Sequence, residues 1–180
     1  CPEQVNETLA KKVGRAFADF LGNTGTVAVG HDMRSTSPGL AAAFAEGVHD
    51  GGVDTLGVGQ VTSPTLYYAV GSASLAGGVM VTASHNPAGD NGFKLCREGV
   101  RPVGSQSGLI EIEESCERDY PAPLEARGSA SQVDVLEAYL DHVLKISNGK
   151  IGPLKVAIDC GNGVAGPTVT TATGLGKVEK

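Results

Sequence analysis

Between residues 26 and 81 three short apolar runs, TVAVGHD, GGVDTLGVG and GGVMVT, alternate with two segments that open on Ser-Pro, STSPGLAAAFAEGV and SPTLYYAV. This alternation constrains the fold more than any other feature of the chain. Short apolar runs bounded by glycine predict buried strands. The segments between them predict helices, because a proline in the first turn loses no hydrogen bond and Leu40, Phe44 and Val48 share one helical face. Ser37 and Ser63 are expected to cap the two helix starts. Upstream, Val5, Leu9, Val13, Phe17 and Leu21 recur every four positions, with Ala16 and Phe20 widening the stripe, which predicts a helix closed by Gly22. Strands joined through helices run parallel, and a parallel sheet must be covered on both faces. The expected fold class is therefore α/β, with function-bearing loops at the carboxyl ends of the strands.

Farther along, GFKLC predicts a short strand, and Leu109, Ile112 and Cys116 predict a helix that ends before the proline-rich connection YPAPLEARGSAS. Val133, Leu136, Leu140, Val143 and Leu144 mark a long helix, followed by NGKIGP as a turn and LKVAID as a new buried strand. The glycine-rich DCGNGVAGP then reads as a strand-to-helix turn, and TVTTATGLGKVEK is too short to finish a second unit. The expected division is one domain over 1–130 and the start of another over 131–180, within a length that supports one full hydrophobic core.

Composition narrows the function classes. A net charge of −6 and only eight Phe and Tyr, with no Trp, disfavour nucleic acid, whose phosphates need a basic surface and whose bases need stacking platforms. A local basic cluster would still serve a small anionic substrate. No basic segment followed by an apolar one opens the chain, and no apolar run approaches the roughly 18 residues of a membrane span, so a soluble, cytoplasmic protein is expected. Cys1, Cys96, Cys116 and Cys160 lack metal or disulfide spacing and are expected to be reduced thiols. The four His show no metal spacing either. EIEES, with Glu117 and Asp119, reads as a solvated helix face, and GNGVAG lacks the spacing of a dinucleotide turn.

The loop after the third strand is different: MVTASHNPAGDNGFKL packs Ser84, His85, Asn86, Asp90, Asn91 and Lys94 around Pro87, Gly89 and Gly92. Taken singly, each is an ordinary turn former that satisfies local backbone groups. Taken together, a hydroxyl acceptor, successive amides able to cradle a phosphate and a lysine ten residues after the serine suit phosphoryl chemistry.

TASHNPAGDNGFK resembles the phosphoserine loop of the α-D-phosphohexomutases, the phosphoglucomutase and phosphomannomutase enzymes, and GHDMRSTSP, GVGQVTSPTLYYAV and VAIDCGNGVAG are similar to further segments of that family. The resemblance implies a three-layer mixed, mainly parallel sheet with helices on both faces, plus the first elements of a similar second domain. It implies that Ser84 holds and transfers the phosphoryl group, with His85 beside it. Lys94 would be the general acid/base for the sugar hydroxyl, and Arg34 and Asn86 would bind substrate or phosphate. It further implies Mg²⁺, held through the phosphate on Ser84, with hexose 1,6-bisphosphate as intermediate and activator. The implied reaction interconverts the 6-phosphate and 1-phosphate of mannose or glucose; Thr82 before ASHNP, and LYYA, favour that assignment over a phosphoglucosamine mutase. A non-catalytic sugar-phosphate or anion-binding module would carry the same loop. The family's Tyr-Asp-x-Arg-Gly segment and its Asp-Gly-Asp-x-Asp-Arg metal loop have no counterpart here, so the sequence reads as an amino-terminal fragment expected to be inactive alone. The expected partner is a sugar phosphate, with neither nucleic acid nor membrane.

Overall fold

The computed structural model describes residues 5–148 and 155–173, and its elements follow the apolar pattern. In chain order they are α1 (Glu7–Phe20), β1 (Thr26–His31), α2 (Ser37–Asp50), β2 (Asp54–Gln60), α3 (Ser63–Ser72), β3 (Gly77–Val81), β4 (Phe93–Arg97), β5 (Arg101–Pro102), α4 (Ile110–Glu117), β6 (Ala130–Gln132), α5 (Leu136–Ser147) and α6 (Ala165–Thr173). The sheet order is β5-β4-β3-β1-β2-β6. β3, β1, β2 and β6 are parallel, whereas β4 and β5 add antiparallel, giving the mixed, mainly parallel sheet.

Alternation along the strands sorts the core into two layers. Val27, Val29, Val79, Val81 and Leu95 meet Phe17 and Phe44 from α1 and α2, with Ile112 of α4 closing that layer. Ala28, Met80 and Cys96 point the other way, against Leu66, Ala69 and Val70 of α3. Tyr68 of α3 packs its ring, tilted, against Tyr139 and His142 of α5, which borders the second face. Gly14 and Gly47 let α1 and α2 approach so closely that a Cβ on Gly47 would overlap the Lys11 carbonyl oxygen and sit 2.7 Å from the Arg15 nitrogen. Gly47→Ala is accordingly expected to destabilise the fold by about 2–3 kcal/mol, although alanine is the better helix former by roughly 1 kcal/mol. Denaturant unfolding measures this, and an unchanged midpoint would contradict the close helix contact.

The helix starts differ from expectation in an informative way. In α3 the cap is Thr62, one residue before Ser63, and its hydroxyl accepts from the Thr65 amide at 3.3 Å. In α2 no side chain caps the first turn. Ser37 is already inside the helix, and its hydroxyl donates instead to the Asp32 carboxylate at 2.6 Å, because a buried charged acceptor holds a hydroxyl proton more strongly than a neutral one.

The connection after α4 is held down rather than loose. Asp50, 1% exposed, accepts from the Tyr120 hydroxyl at 2.7 Å and pairs with Lys11 and Arg127 at 2.9 and 2.7 Å. Arg15 adds bonds to the Asp50 and Ala122 carbonyls. Burial pushes the Asp50 carboxyl upward, but these donors and cations outweigh it and hold it below the ordinary range. The tether delivers residues 130–132 to the sheet edge, where β6 lies across the 130/131 junction and pairs with β2.

One expected element is corrected. LKVAID was expected as a buried strand, but among the described residues Lys155–Cys160 pair with no strand, and Val156 and Ile158 are 66% and 48% exposed. A strand is held by ladder partners and a covered face, and the described residues provide neither. Cys1, most of the NGKIGP turn and the 174–180 tail lie outside the described residues. Cys96, Cys116 and Cys160 are free thiols. No described helix is long and apolar enough to cross a membrane.

Candidate active site

The sheet order creates a crevice at a defined place. β1 leads through α2 on one face to β2, and β2 returns through α3 on the other face to β3 on the opposite side of β1. Connections that leave in opposite directions part at the carboxyl ends of β1 and β3, where ligands of open α/β sheets bind. The segment after β1 carries Asp32 and Arg34, and the segment after β3 carries Thr82 and Ser84.

Asp32 organises the crevice. It is 5% exposed, and its carboxylate accepts from Ser37 Oγ (2.6 Å), Thr82 Oγ1 (2.6 Å), the Arg34 amide (3.0 Å) and Arg34 Nε (3.1 Å). Burial alone would push this carboxyl up. The bonds from Ser37, Thr82 and the Arg34 amide, with the Arg34 charge, win and hold it below its ordinary 3.8. The network continues outward. Asn91 donates to Ser37 Oγ and Thr36 Oγ1, both at 2.9 Å, tying the far end of the loop to the start of α2. Thr82 Oγ1, while donating to Asp32, accepts from the Ser84 amide at 3.0 Å.

Arg34 occupies the middle of the loop. Nε donates to Asp32, Nη1 to the carbonyls of Pro87 and Asp90, and Nη2 to those of Ser84 (3.2 Å) and Asn86 (2.8 Å). A guanidinium has five N–H donors, and these five bonds use all of them. Arg34, expected to bind a substrate phosphate, therefore has no donor left for one in this arrangement. The loop carbonyls turn inward onto the cation, whereas the amides of His85, Ala88 and Gly89 have no acceptor within the described chain.

Ser84 stands at the exposed edge of this arrangement with φ +58°, a left-handed conformation that costs an L-residue roughly 1–2 kcal/mol. Its hydroxyl lies 3.0 Å from His85 Nδ1. The Asn86 side chain is exposed and makes no hydrogen bond among the described residues. Lys94 sits one residue into β4, opposite Met80, exposed and on the α3 face of the sheet. Its ammonium joins none of the bonds above.

The structure thus brings Arg34, from the segment after β1, together with Ser84, His85 and Asn86 of the loop after β3 and leaves Lys94 beside them on the adjoining strand. Sequence reasoning missed Asp32, Ser37, Thr82 and Asn91 as site residues. The signal was present in GHDMRSTSP, where an aspartate directly ending an apolar run has no water to satisfy it and requires partners. Among the described residues no three His, Cys, Asp or Glu side chains come together to hold a metal. One phosphate oxygen on Ser84 would be a single ligand toward the six that Mg²⁺ takes, so these residues alone do not make its site.

Because the Asp32 carboxyl is depressed in the folded state, its stabilising effect is complete above the ordinary carboxylate range and is lost as pH falls through the lower folded value. Asp32→Asn is expected to cost about 3 kcal/mol at pH 7, as for breaking a buried pair, and to flatten the loss of stability below pH 3.8. Unfolding free energies measured from pH 7 to pH 2 check both; parallel curves for the two proteins would contradict the assignment.

The match with known proteins agrees with this geometry. Residues 2–121 match the family model for phosphoglucomutase/phosphomannomutase, alpha/beta/alpha domain I. A phosphomannomutase of Salmonella typhimurium is 42% identical over 170 residues, covering 93% of this chain and 37% of that protein. A protein of Xanthomonas campestris named among the phosphohexose mutases is 38% identical over 166 residues, with 92% of this chain and 37% of that protein covered. In three dimensions, the crystal structure of a phosphoglucomutase/phosphomannomutase family protein from Burkholderia thailandensis superposes with a TM-score of 0.78 at 31% identity, covering 93% of this chain and 38% of that one. The chain belongs to the phosphoglucomutase/phosphomannomutase family. It contains the family's first α/β/α domain and spans 37% of the length of the curated phosphomannomutase from Salmonella.

Proposed function

We propose that this chain carries the phosphoryl-transfer serine of a hexose-phosphate mutase that interconverts the 6-phosphate and 1-phosphate of mannose or glucose. The observation that supports it is Ser84 itself, an exposed hydroxyl on a left-handed backbone at the switch point of the sheet, bonded to an imidazole. Backbone strain of this kind gathers where chemistry is done. The names of the relatives support phosphomannose and related hexose phosphates as the substrate class.

In the forward half-reaction the bond between phosphorus and Ser84 Oγ breaks and a bond from phosphorus to the free sugar hydroxyl forms. The hydroxyl proton passes to Lys94, and His85 Nδ1, 3.0 Å from Oγ, supplies a proton to the departing serine oxygen. The hexose 1,6-bisphosphate so formed then returns its other phosphoryl group to Ser84 by the reverse steps. The Asn86 side chain, exposed and without a hydrogen bond among the described residues, would contact the sugar phosphate. The proposed Mg²⁺ would neutralise phosphate charge when bound, with the rest of its ligands drawn from beyond the described residues.

Turnover of the complete gene product tests this proposal, with hexose 1,6-bisphosphate as activator and glucose, mannose and glucosamine phosphates in parallel. Conversion of mannose 1-phosphate or glucose 1-phosphate to the 6-phosphate is the expected result. A preference for the glucosamine phosphate would move the assignment to that substrate. Binding of sugar phosphates without conversion of any would make the protein an anion-binding module.

A further inference from the structure

Arg34 is the most heavily bonded cation of the site, and its five donors are shared between one buried carboxylate and four loop carbonyls. Its side chain is 9% exposed and its Nε is 3.1 Å from an Asp32 carboxylate that is 7% exposed. The remaining four donors take four carbonyls from a seven-residue stretch, Ser84, Asn86, Pro87 and Asp90. Two of those carbonyls flank His85, and the first belongs to Ser84, the residue with φ +58°. The Ser84 amide is fixed from the other side by Thr82 Oγ1, which also rests on Asp32. One carboxylate therefore sets both clamps on the serine: Thr82 at its amide and Arg34 at its carbonyl.

We propose that Arg34 is a positioning residue. Seated by Asp32, it draws the carbonyls of the 84–90 loop inward and thereby holds the left-handed backbone that directs the Ser84 hydroxyl outward; it does not bind a substrate phosphate. The inference rests on Ser84 being the phosphoryl carrier. A lysine at position 34 keeps the charge and can reach Asp32, but an ammonium has three donors on one atom and no planar fork, so it cannot span Asp32 and four carbonyls. Misplacing a reacting group by about 1 Å costs on the order of 100-fold in rate. A residue that binds substrate equally in ground and transition states acts instead on KM.

The test uses the complete protein with Arg34→Lys and Arg34→Ala, each confirmed as folded by circular dichroism. Arg34→Lys is expected to lower kcat about 100-fold with KM within about threefold of wild type. Hydrogen exchange in the 84–90 peptide should quicken in both variants, and added guanidinium should restore part of the kcat of Arg34→Ala where methylammonium does not. A KM raised tenfold or more with kcat kept, and with 84–90 exchange unchanged, would overturn the inference and make Arg34 a phosphate ligand. Should Arg34→Ala not fold, Arg34→Lys with the KM-against-kcat split and the exchange measurement decides alone. The exchange arm also separates the inference from the reading beneath it. Quickened exchange in a protein whose Ser84→Ala variant remains active would leave the Arg34 clamp standing and remove the phosphoryl carrier.

Discussion

Ser84→Ala in the complete protein is expected to lower turnover by about 10⁴-fold or more while leaving the fold intact. The size follows from what the hydroxyl does: a covalent carrier is not partially replaced by positioning or electrostatics, and loss of a nucleophile typically costs 10⁴–10⁶-fold. The intact fold follows from where it sits. Ser84 is exposed, and the bonds that order it, from its amide to Thr82 Oγ1 and from Arg34 to its carbonyl, are made by backbone atoms that alanine retains. Unfolding free energy should therefore change by no more than about 0.5 kcal/mol. Kinetics and denaturation on the same preparation check both halves. An active variant would reduce Ser84 to a turn former, and an inactive but unfolded one would mean that the hydroxyl carries structure.

Lys94→Met is expected to lower kcat by about 10²–10⁴-fold with little change in KM, the range for a general acid–base group. The motivation is placement. β4 starts two residues after Asn91, the residue that pins the loop to α2, so Lys94 is held on a rigid strand at the rim of the crevice rather than on the loop itself. Its ammonium is committed to no partner among the described residues, unlike Lys11, which is paired with Asp50. The pH profile of kcat/KM should lose or displace one limb, since that limb reports an essential ionisation of the free enzyme. A variant whose substrate affinity collapses while kcat and the profile persist would make Lys94 a phosphate anchor and move the acid–base role to His85.

Much of the architecture was legible because it is written in periodicity. Val27, Val29 and Ala28 alternate between two layers, Phe17 in α1 and Phe44 in α2 each belong to a stripe of helical spacing in their own helix, and both patterns survive in the structure. What escaped depends on contacts between distant residues. Nothing in the local sequence around Ser37 says that a carboxylate five residues earlier will take its proton in place of a cap. Thr82 and Asp32 are 50 residues apart and meet only because β3 pairs with β1. β6 escaped for a different reason: Ala130, Ser131 and Gln132 are exposed and have no apolar alternation, and the Asp50 tether together with the bonds from Ser129 to the Asp54 carboxylate brings them to the edge of β2. The loop was legible as a group of residues, but the left-handed backbone at Ser84 and the five bonds around Arg34 exist only in three dimensions.

The most direct measurement of the central assignment is to follow the phosphoryl group itself. The complete protein is mixed with radiolabelled hexose 1,6-bisphosphate, quenched within one turnover, digested, and its labelled peptides sequenced. The expected result is label on the peptide that contains Ser84, released onto the sugar when unlabelled hexose 6-phosphate is added before the quench. Turnover that proceeds with label on another residue, or with no labelled peptide at all, would contradict the assignment of Ser84 as the carrier.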